Sequence, residues 1–219
     1  DMHFNGRNVD PLLLNKKTKL ISGKPPYRED WSGGVTEKTT GLILLGLHGM
    51  DGTERGGLLS HTYEHDIKEI RVNGIVLGEI GMEAAVAGDR GVPLLLVTGD
   101  KAGANEANVL VKGVGTAVVK EGVTETGGLC LSGETTEELI YNAALAVACG
   151  EVTTEPLRFK SPVELTVTLH SGAYWDSFMK LYPECRSGEY EITLKGNNVS
   201  GAFGEYWNKK LYVQEAMNR

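Results

Sequence analysis

Hydrophobic positions along the chain fall into short blocks whose spacing changes from one stretch to the next. Residues 41–47 form a continuous apolar run between Thr39-Thr40 and His48-Gly49, the pattern of a strand buried on both faces. Residues 93–98 predict a second strand of this kind. Between them, 67–72 and 75–77 flank Asn73-Gly74, the dipeptide that supplies the positive φ values of a tight hairpin. Residues 79–87 carry Ile80, Ala84 and Ala87 at helical spacing, with Gly88 as a stop. A second helix is predicted over 102–111 and a short strand over 116–119. Ser132 is placed to cap a long helix reaching Cys149, with Leu139, Ala143, Leu145 and Ala146 on its apolar face. Alternation of strands and helices predicts an α/β fold, with a mostly parallel sheet flanked by helices.

Beyond Gly150 the pattern changes. Residues 153–156 read as a linker, and Val163–Leu169 alternates apolar and polar positions like a half-exposed strand. A helix over 173–181 stopped near Pro183, a strand over 190–194 and a last helix over 200–217 complete a smaller α+β unit. The expected division is an α/β unit over 1–150 that carries the candidate site and an α+β unit over 151–219. Tyr174-Trp175 and Tyr206-Trp207 are expected to pack in the core or against a neighbour.

Composition narrows the function classes. The 219 residues hold 22 Lys and Arg against 29 Asp and Glu, a net charge of −7. Nucleic acid is not the expected partner, since phosphate binding needs clustered basic residues and Lys16-Lys17 and Lys209-Lys210 are isolated doublets. No apolar run approaches the roughly 20 residues of a membrane helix. Cys130, Cys149 and Cys185 are odd in number and share no CxxC spacing, which points to reduced thiols and a cytoplasmic location. The chain begins at Asp1 without Met and enters a polar, loop-like stretch.

In parallel sheets the chemistry sits in loops just beyond the carboxyl ends of strands. His48 follows the 41–47 run directly, and His61 and His65 come shortly after it, so three of the five histidines fall within one stretch. Each can be a structural imidazole, but grouping after a buried strand with a carboxylate nearby raises a metal site. Glu79, at the start of a predicted helix, is that carboxylate, or else a partner of the helix dipole. His3 is a further nitrogen donor. Two imidazoles and a carboxylate would leave zinc an open position for water. Asp100 and Lys120 end or follow predicted strands and are candidate cleft residues for substrate. His65 and His170 read as solvated or packed. No HExxH, phosphate-binding glycine loop or GxSxG elbow is present.

Four separated segments carry a family resemblance: Asp1-Met2-His3, Leu45-Gly46-Leu47-His48-Gly49, Leu59-Ser60-His61-Thr62 and Val76-Leu77-Gly78-Glu79-Ile80-Gly81. In this order they resemble the bacterial D-aminopeptidases of the dipeptide-transport operon type, which are self-compartmentalising binuclear zinc peptidases. Val92-Pro93-Leu94-Leu95, Gly99-Asp100 and Ala117-Val118-Val119-Lys120 extend the likeness. The resemblance implies His3, His48 and Glu79 as zinc ligands, His61 as a catalytic histidine, and two zinc ions per active site. It implies short peptides with N-terminal D-residues as substrates, and a ring-like homodecamer.

The sequence departs from the family at its start. The family begins with a strand ending in an Asp-x-Glu motif that gives two carboxylates to the metals, and this chain opens after it. The expectation is that the segment exists in the functional molecule, cleaved, on another chain or outside these 219 residues. Competing readings are a non-catalytic scaffold or fragment of the same fold, and a mononuclear zinc hydrolase using His3, His48 and Glu79.

Overall fold

The computed structural model describes residues 8–21, 34–53 and 56–219. In chain order the elements are β1 (Leu42–Leu47), β2 (Ile67–Val72), β3 (Ile75–Leu77), α1 (Glu79–Asp89), β4 (Leu94–Asp100), α2 (Lys101–Leu110), β5 (Gly115–Gly122) and β6 (Gly128–Cys130). They continue with α3 (Gly133–Ala148), β7 (Val163–Leu169), α4 (Ala173–Leu181), β8 (Glu191–Gly196) and α5 (Val199–Met217), with short 3-10 turns at Pro11–Leu13 and Pro183–Cys185.

These strands form two four-stranded sheets. In the first, ordered β1-β4-β5-β6, the three longer strands run parallel and only β6 is antiparallel, as the mostly parallel prediction requires. The second, ordered β3-β2-β7-β8, is antiparallel throughout. Its central pairing joins distant parts of the chain, with Ile70 opposite Val167. The hairpin between the two apolar runs thus belongs to the sheet completed after residue 160, so the sheets do not follow the expected division at 150. Asn73 and Gly74, with φ of 49° and 81°, make the predicted tight turn.

Helix α1 joins the two halves. Ile80 and Ala84 pack with Leu94, Val97, Ala107 and Val111 beneath the parallel sheet. Met82, Ala85 and Val86 pack instead with Ile70, Val167, Phe178 and Tyr206 under the antiparallel one. Contacts on both sides explain why the helix is rich in small residues: bulkier side chains would separate the sheets. Glu79 is its first residue and lies where both layers meet. Tyr174, Trp175 and Tyr206 are buried, as expected. Helix α3 differs from its prediction, since Ser132 caps it but none of its residues is fully buried. Leu139 and Leu145 stay largely exposed although α3 lies against β5.

Candidate metal centre

Three loops bring the predicted residues together. His48 is the first residue beyond β1 and is 6% exposed. Glu79 opens α1 behind Gly78, and His61 lies in the loop that leads from β1 to β2. Nε2 of His48 is 3.8 Å from Oε1 of Glu79, and Nε2 of His61 is 3.7 Å from that same oxygen. The two imidazoles stack with centroids 4.2 Å apart. One donor atom from each of His48, His61 and Glu79 lies within 4.8 Å of the others, a separation that an ion between them could bridge.

Backbone contacts fix the orientation of both rings. Nδ1 of His48 is 3.0 Å from the Gly49 carbonyl and Nδ1 of His61 is 2.8 Å from the Leu59 carbonyl. A carbonyl only accepts, so each Nδ1 carries the hydrogen, and in the neutral imidazole the lone pair is then on Nε2, the atom nearer Glu79. This pairing with a second partner is the usual preparation of a metal-binding imidazole. Burial holds His48 below its ordinary pKa, against the Gly49 carbonyl and Glu79, which act the other way. The neutral form so favoured is the one that binds a metal. Glu79 Oε1 also accepts the Tyr63 N–H at 2.8 Å. Leu59 and Tyr63, two residues to either side of His61, have φ of 57° and 58°. Such left-handed backbone at non-glycine residues costs about 1–2 kcal/mol each and persists only where its surroundings impose it.

Acidic side chains are concentrated under the site. Burial raises Glu83 to about 7 against the stabilising Tyr63 hydroxyl, which donates to it at 2.9 Å, and the Glu79 carboxylate adds to the rise. Glu106 is likewise raised to about 7 by burial, with Glu79 contributing to the rise. Among the described residues no Lys or Arg forms an ion pair with Glu79, Glu83 or Glu106. Two imidazole Nε2 atoms and a carboxylate, backed by two acids that no Lys or Arg pairs among the described residues, fit a divalent cation of zinc's ligand preference.

The other sequence candidates are placed differently. His3 lies outside the described residues. Asp100 is fully buried, and its carboxylate accepts the N–H groups of Gly103 at 2.7 Å, Leu58 at 2.8 Å and Gly49 at 3.3 Å. It ties the loop after His48 to the start of α2, and in this position it is a structural anchor with no face left for substrate. Lys120 is half-buried near the end of β5, in register with Asp100, and has no ion pair among the described residues. His65 is exposed, its ring centroid 5.4 Å from that of His61. His170 is half-exposed with Nε2 3.4 Å from Asp51. Sequence reasoning missed Tyr63, Glu83 and Glu106. Glu106 carried a signal, an acid next to Ala107 and two residues from Ala104 on a helix otherwise expected to bury its small residues.

The fold is shared with known proteins. A solved structure described as the Zn-dependent D-aminopeptidase DppA from Bacillus subtilis, a self-compartmentalizing protease, superposes with a TM-score of 0.84 at 25% identity, covering 98% of this chain and 76% of that one. The D-aminopeptidase of Bacillus subtilis (strain 168) is 34% identical over 134 residues, 60% of this chain and 47% of that protein. The chain therefore matches about half the length of this curated relative. A family model described as D-aminopeptidase matches residues 1–205. With nearly the whole chain inside that match, and His48, His61 and Glu79 converging on one point, the chain belongs to the D-aminopeptidase family of peptidases.

Proposed function

We propose that this protein is a zinc-dependent D-aminopeptidase that hydrolyses short peptides with N-terminal D-residues such as D-alanyl peptides. The observation that carries the reading is the convergence of two imidazole Nε2 atoms on the Glu79 carboxylate in a chain of this family. His48 and Glu79 would hold the metal, with His3 as a further ligand and two ions per active site. Zinc, when bound, supplies a Lewis acid and a water acidic enough to attack a carbonyl near neutral pH. His61 is more open than His48, 21% exposed against 6%, and so can reach substrate and hand a proton to the leaving amine. The Leu59 carbonyl keeps its Nε2 available for that exchange.

A second reading rests on one distance. His61 Nε2 lies as near to Glu79 as His48 Nε2 does, so His48, His61 and Glu79 together offer a complete set for a single zinc. Zinc content of His61→Ala separates the two: retained metal with lost turnover marks a catalytic histidine, and lost metal marks a ligand.

Short D-residue peptides as substrates, a homo-oligomer in the form of a ring-like decamer, and a cytoplasmic location complete the proposal. The self-compartmentalizing relative supports assembly, as does the apolar surface of Leu129, Tyr141 and Leu145, each 47–68% exposed. Free Cys130, Cys149 and Cys185 are in keeping with a reducing compartment. Among the described residues no helix is long and apolar enough to cross a membrane. The activity is tested by incubating natively purified protein with D-Ala-D-Ala and L-Ala-L-Ala, before and after chelation and after return of zinc. D-selective, chelator-sensitive and zinc-restored hydrolysis is expected. Turnover unaffected by chelator would refute the reading.

A further inference from the structure

Two of the proposed ligands stand on separate loops, and each is only as well placed as its backbone. Glu79 is the first residue of α1, and the residue before it, Gly78, has no side chain with which to cap the helix. The first backbone N–H groups of a helix lack partners within it, and a buried helix end without a cap is costly. Here the cap comes from another element. The Glu106 carboxylate, from α2, accepts the Gly78 N–H at 3.0 Å and lies close to the N–H of Gly81, in the first turn of α1, which helps to hold its pKa down. A carboxylate in that position is favoured by the helix dipole as well.

The same carboxylate lies beside the Met50 backbone, two residues beyond His48, and the Met50 N–H helps to hold its pKa down against burial. Glu106 therefore bonds to the backbone just before Glu79 and packs against the backbone just after His48. The packing has been kept open for it. A Cβ placed on Gly78 would lie 2.7 Å from Glu106 Oε1 and 2.7 Å from the Met50 Cβ, so the two loops and the carboxylate meet at a point with no room for a methyl group. Gly103, one turn before Glu106 on α2, is pressed against the His48 carbonyl, 3.0 Å from a Cβ position.

We propose that Glu106 is a positioning residue for the metal centre, clamping the His48 loop to the N-terminus of α1 and so fixing the separation of His48 Nε2 and Glu79 Oε1. The inference rests on the zinc reading above and adds to it a residue that touches neither metal nor substrate. Partners of this outer kind, when lost, lower metal affinity about 10–100-fold. Glu106→Ala removes the acceptor of the Gly78 N–H and the contact with the Met50 backbone, whereas Glu106→Gln keeps one carbonyl oxygen and should recover part of the loss.

The test is competition of each variant against a chromogenic chelator of known zinc affinity, with cobalt-substituted protein recorded in the visible range. Val213→Ala serves as a control, since Val213 is fully buried on α5, in the other core, and destabilises without touching the site. The expected result is zinc affinity lowered about 10–100-fold in Glu106→Ala and less in Glu106→Gln. Cobalt bands should be altered in both, and Val213→Ala should match the wild type in both readouts. Wild-type zinc affinity and cobalt bands in Glu106→Ala would overturn the proposal while leaving the zinc site standing. A wild-type protein that binds no zinc would instead overturn the reading beneath it, and the proposal with it.

Discussion

Replacing Asp100 with alanine tests whether the loop after His48 is anchored as the hydrogen bonds indicate. The carboxylate is fully buried, and it accepts three backbone N–H groups from two separate segments. The Gly49 and Gly103 donors are buried, while that of Leu58 is partly open to solvent. A buried donor stripped of its acceptor costs about 1–3 kcal/mol, whereas one that water can reach loses less. Two such donors, with water entering part of the vacated space, put the loss at about 3 kcal/mol, a large share of the 5–15 kcal/mol that holds a typical protein folded. The Gly103 contact is also the N-cap of α2, and a lost cap alone costs about 1 kcal/mol. Urea unfolding of metal-free protein measures the effect as a shift of midpoint at unchanged slope. A loss below about 1 kcal/mol would refute the anchoring argument, because two buried donors could not lose their acceptor so cheaply. Asp100→Asn should lie between, since an amide offers one acceptor oxygen and turns a donor on the remaining N–H groups.

Other consequences can be measured separately. Glu83 is raised from 4.5 to about 7, so between these values the folded chain keeps a proton that the unfolded chain has released, and stability falls as pH rises through the window. Glu83→Gln should therefore gain on the wild type by roughly 2–3 kcal/mol from pH 4.5 to 7.5 in metal-free protein, and a constant difference across urea titrations would contradict this. Lys210 is 1% exposed and donates to Glu64 at 2.9 Å, while Glu64 is half open to solvent. Removing the acid strands a buried cation, whereas removing the lysine leaves an acid that water can solvate. Glu64→Leu should cost about 3 kcal/mol and Lys210→Met less than about 1, and equal losses in thermal unfolding would argue against the pair as drawn. His61→Ala should abolish D-dipeptide turnover while the far-ultraviolet circular dichroism is unchanged, and wild-type turnover would remove His61 from the chemistry.

Much of the fold was legible because its signals are local. The runs at 41–47 and 93–98 became adjacent parallel strands, and Asn73-Gly74 made the turn it predicts. What stayed hidden is pairing at long range. The hairpin signal of β2 and the alternation in β7 mark two strands, but not that Ile70 meets Val167 across nearly a hundred residues. β6 escaped notice because three exposed residues carry no periodicity. At the site, His48, His61 and Glu79 were found from strand ends and family likeness. Asp100 and Glu106 could not be assigned in the same way, since their partners are backbone N–H groups, which are the same whatever residues supply them.

The central claim is that His48 and Glu79 hold zinc, and elemental analysis of natively purified wild type, His48→Ala and Glu79→Ala tests it most directly. The account predicts zinc bound to the wild type and at least a tenfold loss of affinity in each variant, with loss of D-dipeptide hydrolysis alongside. Zinc retained at wild-type level in both variants would contradict it.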